Sequence, residues 1–284
     1  MKKIEKGFSV VELMIAVVVI GSLGFVGWLV FNRSNTKTAS NNNSSNTNTQ
    51  KSTTDGSAAE LIWQQTEGGW QATKTPPACP DQPIMKSPVK LDKATSILYP
   101  GQTRGGNYKP HGGFRFDNSA NDDIKVTAPI DGFIIRGSRY IESGEVQYMF
   151  DVMNNCGVMY RMDHLRTLSD DMQKIAETFP EPSGGDSRTQ QVSPAVYVKQ
   201  GAQLATSIGF IKSKNVGFDW GVYDYRNQNE ASKSASYQSA HANNKELAYY
   251  AVCWFDWLSS SDEATIRQLP GGDSTSGKNS DYCK

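Results

Sequence analysis

Three textures follow one another along the chain. From Leu13 to Phe31 no residue is charged. As a helix rising ~1.5 Å per residue, this run reaches roughly 28 Å, about one bilayer core. Residues 33–57, including SNTKTASNNNSSNTNTQKSTTDGS, hold almost nothing apolar. Such an Asn/Ser/Thr run cannot build a core and reads as a flexible linker. From Ala58 onward, short apolar runs alternate with turn signals.

In that third part, LIWQQTEGGWQAT predicts two short strands around a Gly-Gly turn, and TPPACPDQP a rigid loop. FRFDN, IKVTAPIDGFIIRGS, VQYMFDVMNNCGVMYRMDHL, VYVKQGAQLATSIGFI and VGFDWGVYDYR read as successive strands. Asn154-Asn155-Cys156-Gly157 is expected to turn one hairpin. SDDMQKIAETF predicts a helix capped by Ser169, inside an insertion near 169–190. NKELAYYAVCWFDWL, Asn244 to Leu258, predicts a second helix whose aromatic residues serve the core. SSDEATIRQLPGG predicts a third. The expected fold is mainly β: an antiparallel core folded as a sandwich or partly open barrel, a transmembrane helix before it and a C-terminal helical segment after it.

Lys and Arg number 29, as do Asp and Glu, so no basic excess points to nucleic acid. The presence of only three histidines limits any histidine-rich metal site. The four cysteines include no C-x-x-C and allow two disulfides in three connectivities, of which Cys79–Cys156 and Cys253–Cys283 are favoured. Lys2, Lys3 and Lys6 before the apolar run put everything beyond Asn32 outside the cytoplasm. Glu12, at the start of the run, is costly in a membrane and so asks for a role.

The stretch KGFSVVELMIAVVVIG resembles the leader of type IV pilins and pseudopilins. The resemblance implies that a prepilin peptidase cuts after Gly7, that Phe8 becomes the methylated N-terminus, and that Glu12 is the fifth mature residue. Residues 1–7 are then the leader, 8–32 the membrane helix and 33–57 the linker. A pilin's helix would continue onto its globular head, whereas here the linker intervenes. The leader then serves either assembly with pilus subunits or only export and anchoring.

Beyond the linker, 58–98 are entry strands and loop, 99–240 the β domain and 241–284 the helical tail. The order PHGGFRFD, VTAPIDGFI, YRMDHL, VKQGAQLATSIGF and VGFDWGVYD, between Tyr99 and Arg226, resembles the lysostaphin-type (LytM-like) zinc endopeptidases, which cut peptidoglycan cross-bridges. In that family an H-x-x-x-D motif and the second histidine of H-x-H bind zinc. Carried over, the metal positions are His111, Arg115 and Asp219; the proton-handling positions are His164 and Gly217. Arginine cannot ligate a metal and glycine has no side chain to offer, so hydrolysis is expected to be lost and no cofactor is expected. An Arg115–Asp219 ion pair is expected where zinc would sit, beside His111, with Tyr108, Trp220 and Tyr223 lining a groove. Asp117, Asp224 and His241 are the residues that could restore a ligand set. Three readings follow: a membrane-anchored envelope protein binding peptidoglycan or a partner protein; a zinc endopeptidase with an altered ligand set, His164 then catalytic; and a minor pilin-like subunit carrying the β domain as a tip or adhesin. If the leader is of the prepilin type, Gly7→Trp leaves the chain at its precursor mass with Met1 retained, as read by intact-mass spectrometry of the membrane fraction; a normally shortened N-terminus would refute the assignment.

Overall fold

The computed structural model describes residues 60–284; the expectations for Gly7, Phe8, Glu12, the membrane helix and the linker lie outside them. Among the described residues no helix is long and apolar enough to cross a membrane. The elements are β1 (Trp63–Thr66), β2 (Gly69–Ala72), β3 (Ser96–Leu98), β4 (Gln102–Arg104), β5 (Asn107–Lys109), β6 (Gly112–Arg115), β7 (Val126–Thr127), β8 (Gly132–Glu142), β9 (Glu145–Met153), β10 (Val158–Leu168), α1 (Asp170–Ala176), β11 (Gln190–Val198), β12 (Gln203–Ile208), β13 (Gly217–Asp224), α2 (Ala235–Ala240), α3 (Lys245–Ala248) and α4 (Ser260–Gln268).

The sandwich-or-barrel expectation resolves into one antiparallel sheet of nine strands, ordered β11-β8-β9-β10-β13-β6-β3, with β12 pairing β10 and β7, plus the ribbons β1-β2 and β4-β5. The period of two along each strand sorts its two faces. Val158, Tyr160 and Met162 of β10 join Phe218, Trp220 and Val222 of β13, Phe150 and Val152 of β9, and Phe114 of β6 in the main core. On the opposite face Met159, Tyr223, Met153, Phe133 and Ile135 form a smaller apolar cluster with Trp63 and Trp70 of the β1-β2 ribbon. The rest of that face is polar and carries the site.

The turn at 154–157 joins β9 to β10, as the sequence predicts. Asn154 Oδ1 accepts from the amides of Cys156 and Val158, both at 3.0 Å. Gly157 takes φ +80°, and a Cβ there would lie 2.3 Å from the Trp63 ring. Both favoured disulfides form, Cys79–Cys156 and Cys253–Cys283. The first ties the proline-rich loop to this turn across 77 residues of sequence. On chain entropy alone, closing a loop of that size stabilises by about 4 kcal/mol.

The helix expected over Asn244–Leu258 is broken. Only Lys245–Ala248 is α-helical, and Trp254–Trp257 make a 3-10 turn. Beyond Trp220, β13 has no β6 partner, and its bare edge takes the chain instead: Asp224 N donates to Tyr250 O at 2.8 Å and Val252 N to Val222 O at 3.0 Å. Sheet pairing thus captures backbone groups that a helix would have used. The aromatic residues still serve the core, with Trp254, Phe255 and Trp257 buried. The expected helices at 169 and 260 form as α1 and α4; Ser259 caps the latter by accepting from Asp262 N at 3.2 Å. The tail then returns along β3, where Gly272 N donates to Ile97 O at 2.7 Å, and clamps the β4-β5 ribbon through Gln102 Nε2, which donates to Gly277 O and Asn279 O.

The glycine pair in HGGFRFD is a steric requirement. A Cβ on Gly112 would meet Leu98 O at 2.3 Å and Trp254 Nε1 at 2.9 Å; one on Gly113 would meet Phe218 O at 2.5 Å. Gly112→Ala is expected to destabilise the fold by about 1–3 kcal/mol, read as a lower denaturation midpoint with an unchanged slope.

Candidate functional site

β6 and β13 set the site by their register, with Asp219 opposite Gly113 and Trp220 opposite Gly112. This places the His111 side chain, just before β6, next to Asp219: His111 Nε2 lies 3.0 Å from Asp219 Oδ2. The ring nitrogen is buried yet lacks the alignment of a hydrogen bond, so the contact is Coulombic. Arg104 fixes the histidine from behind by donating through Nη2 to His111 O at 3.1 Å and through Nη1 to Tyr99 O at 2.8 Å.

His164 arrives from β10. That strand pairs with β13 as far as Asp163, opposite Asp219, and with β12 from Leu165 onward. The register against β9 slips between Met162 and Leu165. His164 absorbs the slip with φ +61°, a left-handed conformation that is costly outside glycine and typical of functional bulges. Its carbonyl accepts from Gly209 N at 2.8 Å and its own amide donates to Asp163 Oδ1 at 2.7 Å. The result puts His164 Nε2 3.7 Å from Asp219 Oδ2. Tyr140 donates to Asp163 Oδ1 at 2.6 Å and lies 3.4 Å from His164 Nδ1.

Asp163 and Asp219 thus face each other directly across two strands, an arrangement that repels unless cations intervene. Burial pushes the Asp219 carboxyl up, but the charges of His111, His164 and Arg104 outweigh it and hold the group well below the usual carboxylate range. Burial pulls His164 down, and Asp163, Asp219 and Glu142 outweigh that, so its pKa is raised. The cleft above has a volume of about 500 Å³ and is walled by Lys109, Tyr140, Glu142, Arg161 and the loop residues Ser187, Arg188 and Thr189.

The expected Arg115–Asp219 pair does not form. Arg115 stands opposite Gly217, one alternate position beyond Asp219 on β13. Its Nη2 donates to Asp117 Oδ1 at 2.9 Å, and its Cδ lies against Gly272 of the returning tail. The nearer and less exposed His111 takes the carboxylate instead. Trp220 and Tyr223 do not line the groove; both are wholly buried, the first in the main core and the second in the smaller cluster. Tyr108 also faces elsewhere: it bonds Tyr237, Asp281 and Tyr282 and stacks on His241 with ring centres 3.8 Å apart. That stack accounts for His241. Asp117 is engaged by Thr95 and Arg115, and Asp224 by Arg226. None of the three reaches the cleft.

Sequence reasoning brought out His111, His164 and Asp219, which do converge. It missed Tyr140, Asp163 and Arg161. The last two were readable: Asp163 adjoins His164, and Arg161 repeats on the same face two residues earlier. The loop 187–189 left no signal. As a zinc centre the residues do not fit. Gly217 contributes nothing, Arg115 turns outward, and among the described residues no three His, Cys, Asp or Glu side chains are arranged to hold a metal ion. Compared with known proteins, the chain matches no family model, no curated protein and no solved structure.

The depressed Asp219 carboxyl fixes a sign. Its contribution to stability is present above the unfolded carboxylate pKa of about 4 and is lost as pH falls toward the folded value. Asp219→Asn is therefore expected to flatten the acid limb of melting temperature against pH below about 4; an unchanged acid limb would show that the carboxylate is not held by the two histidines.

Proposed function

We propose that this chain is a membrane-anchored protein of the cell envelope whose β domain is a LytM-like endopeptidase scaffold turned to binding. In this reading the pilin-type leader is processed by a prepilin peptidase, the apolar helix holds the chain in the cytoplasmic membrane, and the linker carries the domain outward toward peptidoglycan or an envelope protein. The carrying observation is the state of the three converging side chains. His111, His164 and Asp219 form a half-buried cluster in the lining of a polar cleft. The positions that a hydrolytic zinc centre would need for a third ligand and a further proton-handling group are an arginine directed elsewhere and a glycine.

The cleft also supports binding directly. Arg161, which lines the same cleft, leaves its Nη1 without an acceptor among the described residues, one strong hydrogen-bonding position for a ligand. Charged groups of both signs around a concave surface favour a polar, peptide-like ligand over an apolar one.

The test is metal content together with cell-wall binding. After dialysis against trace zinc, elemental mass spectrometry of the folded protein is expected to find far less than one zinc per chain. The same protein is expected to co-sediment with purified peptidoglycan or to capture an envelope protein, and His111→Ala to weaken that capture. Near one equivalent of zinc, lost on His111→Ala or Asp219→Ala, would overturn the non-catalytic reading in favour of an endopeptidase with an altered ligand set.

A further inference from the structure

We propose that the cleft is built for a ligand that presents a carboxylate, such as the free C-terminus of a peptide, and that Arg161 is its anchor. The proposal deepens the binding reading above and rests on it.

Arg161 stands on β10 two residues before Asp163, with Gly221 as its cross-strand partner. Asp151 of β9 grips it through two parallel bonds, from Nε at 2.7 Å and Nη2 at 2.8 Å. Asp151 is fully buried and also holds Arg136 of β8 at 2.9 Å. Arg136 in turn is fixed by Glu246 at 2.8 Å and by the Trp70 ring, 5.5 Å from its guanidinium carbon. The far side of the guanidinium is therefore locked in a chain of four charges that sum to zero. The near side is different. Arg161 lines the cleft, and no acceptor among the described residues takes its Nη1.

Two more polar side chains crowd its cross-strand partner Gly221, one of them unpaired. Tyr223 Oη is buried with no partner and sits 2.5 Å from where a Cβ on Gly221 would be. His111, whose Nε2 is held by Asp219 Oδ2 at 3.0 Å, brings its Cβ within 3.0 Å of the same point. Glycine at 221 is what leaves room for the Tyr223 and His111 side chains there. Buried polar groups without partners are rare in native proteins, and a free guanidinium edge with an unpaired phenol near it calls for an acceptor with more than one oxygen. A guanidinium held from behind, with its free edge outward, is preorganised for that acceptor.

The carboxylates of the cleft narrow the class. Asp163 and Asp219 flank Arg161, and Glu142 lies on the wall. A doubly charged phosphate would meet this ring of negative charge at full strength. A singly charged carboxylate on a peptide meets less, and the peptide's amides or ammonium groups can face the acids. Lys109 on the rim adds one more cation for the same end.

The test uses the full-length chain in mild detergent and two random tetrapeptide libraries, one with free C-termini and one with C-terminal amides. Peptides retained at equilibrium are counted by mass spectrometry. The acids are expected to be retained roughly ten- to a hundredfold better than the amides, the range for a charge-assisted hydrogen bond. Arg161→Met is expected to erase that preference while leaving the amides' weak retention. If the variant fails to fold, the comparison on the unaltered protein still decides. Equal retention of acids and amides would overturn the carboxylate anchor and leave the binding reading standing. Retention of neither library, with no peptidoglycan bound, would overturn both.

Discussion

β10 pairs with β13 up to Asp163 and with β12 from Leu165, and the single residue between them must absorb the change of partner. That constraint shapes the polar face of the sheet. An ideal strand would send residue 164 toward the core with Met162. The left-handed turn at His164 sends the imidazole to the polar side, where it meets Asp219. The same slip turns the Asp163 carboxylate back onto the His164 amide and under the Tyr140 hydroxyl. Four functional groups on three strands thus owe their meeting to one backbone irregularity, and the strain is held by hydrogen bonds on both sides of it.

The second organising element is the charge ladder across β8, β9 and β10. Arg136, Asp151 and Arg161 occupy matched positions on neighbouring strands. Burying such charges is expensive unless each is paired and hydrogen-bonded, and Asp151 meets the condition by accepting from both arginines. Its carboxyl is pushed up by burial and pulled down further by Arg161 and then Arg136, so that it stays ionised. The last member of the ladder, Arg161, itself lines the cleft. The polar face is therefore one connected band, with an apolar cluster at one end and the cleft at the other.

Much of this was legible in the residues. Alternation marked the strands, Asn154 to Gly157 marked the hairpin, and an even cysteine count led to the two bridges that form. His111, His164 and Asp219 were singled out only by carrying over positions from the endopeptidase resemblance, and the fold brings them together. What escaped was decided by competition between partners that lie far apart in sequence. Arg115 had two carboxylates within reach, and the one two residues away won because the returning tail directs its stem. Trp220 and Tyr223 read as rim aromatics, but strand parity and the packing of Trp254 and Trp63 on opposite faces put both inside. Residues 245–258 have a helical pattern; a vacant sheet edge, visible only once β6 is known to begin at Gly112, took their backbone instead.

The pairing of β6 with β13 has a consequence for how the molecule comes to exist. The strand that carries His111 cannot find its partner until the chain has reached Asp219, and the tail that closes over β3 comes later still. Contacts so distant in sequence are formed slowly, because loop entropy must be overcome before any pairing energy is gained. Until then the β9-β10 hairpin stands with the side later covered by β13 bare, a surface prone to pairing with the wrong chain. The bridge from Cys79 to Cys156 pins the proline-rich loop to the tip of that hairpin using only residues already made, and so restricts what the unfinished sheet can do.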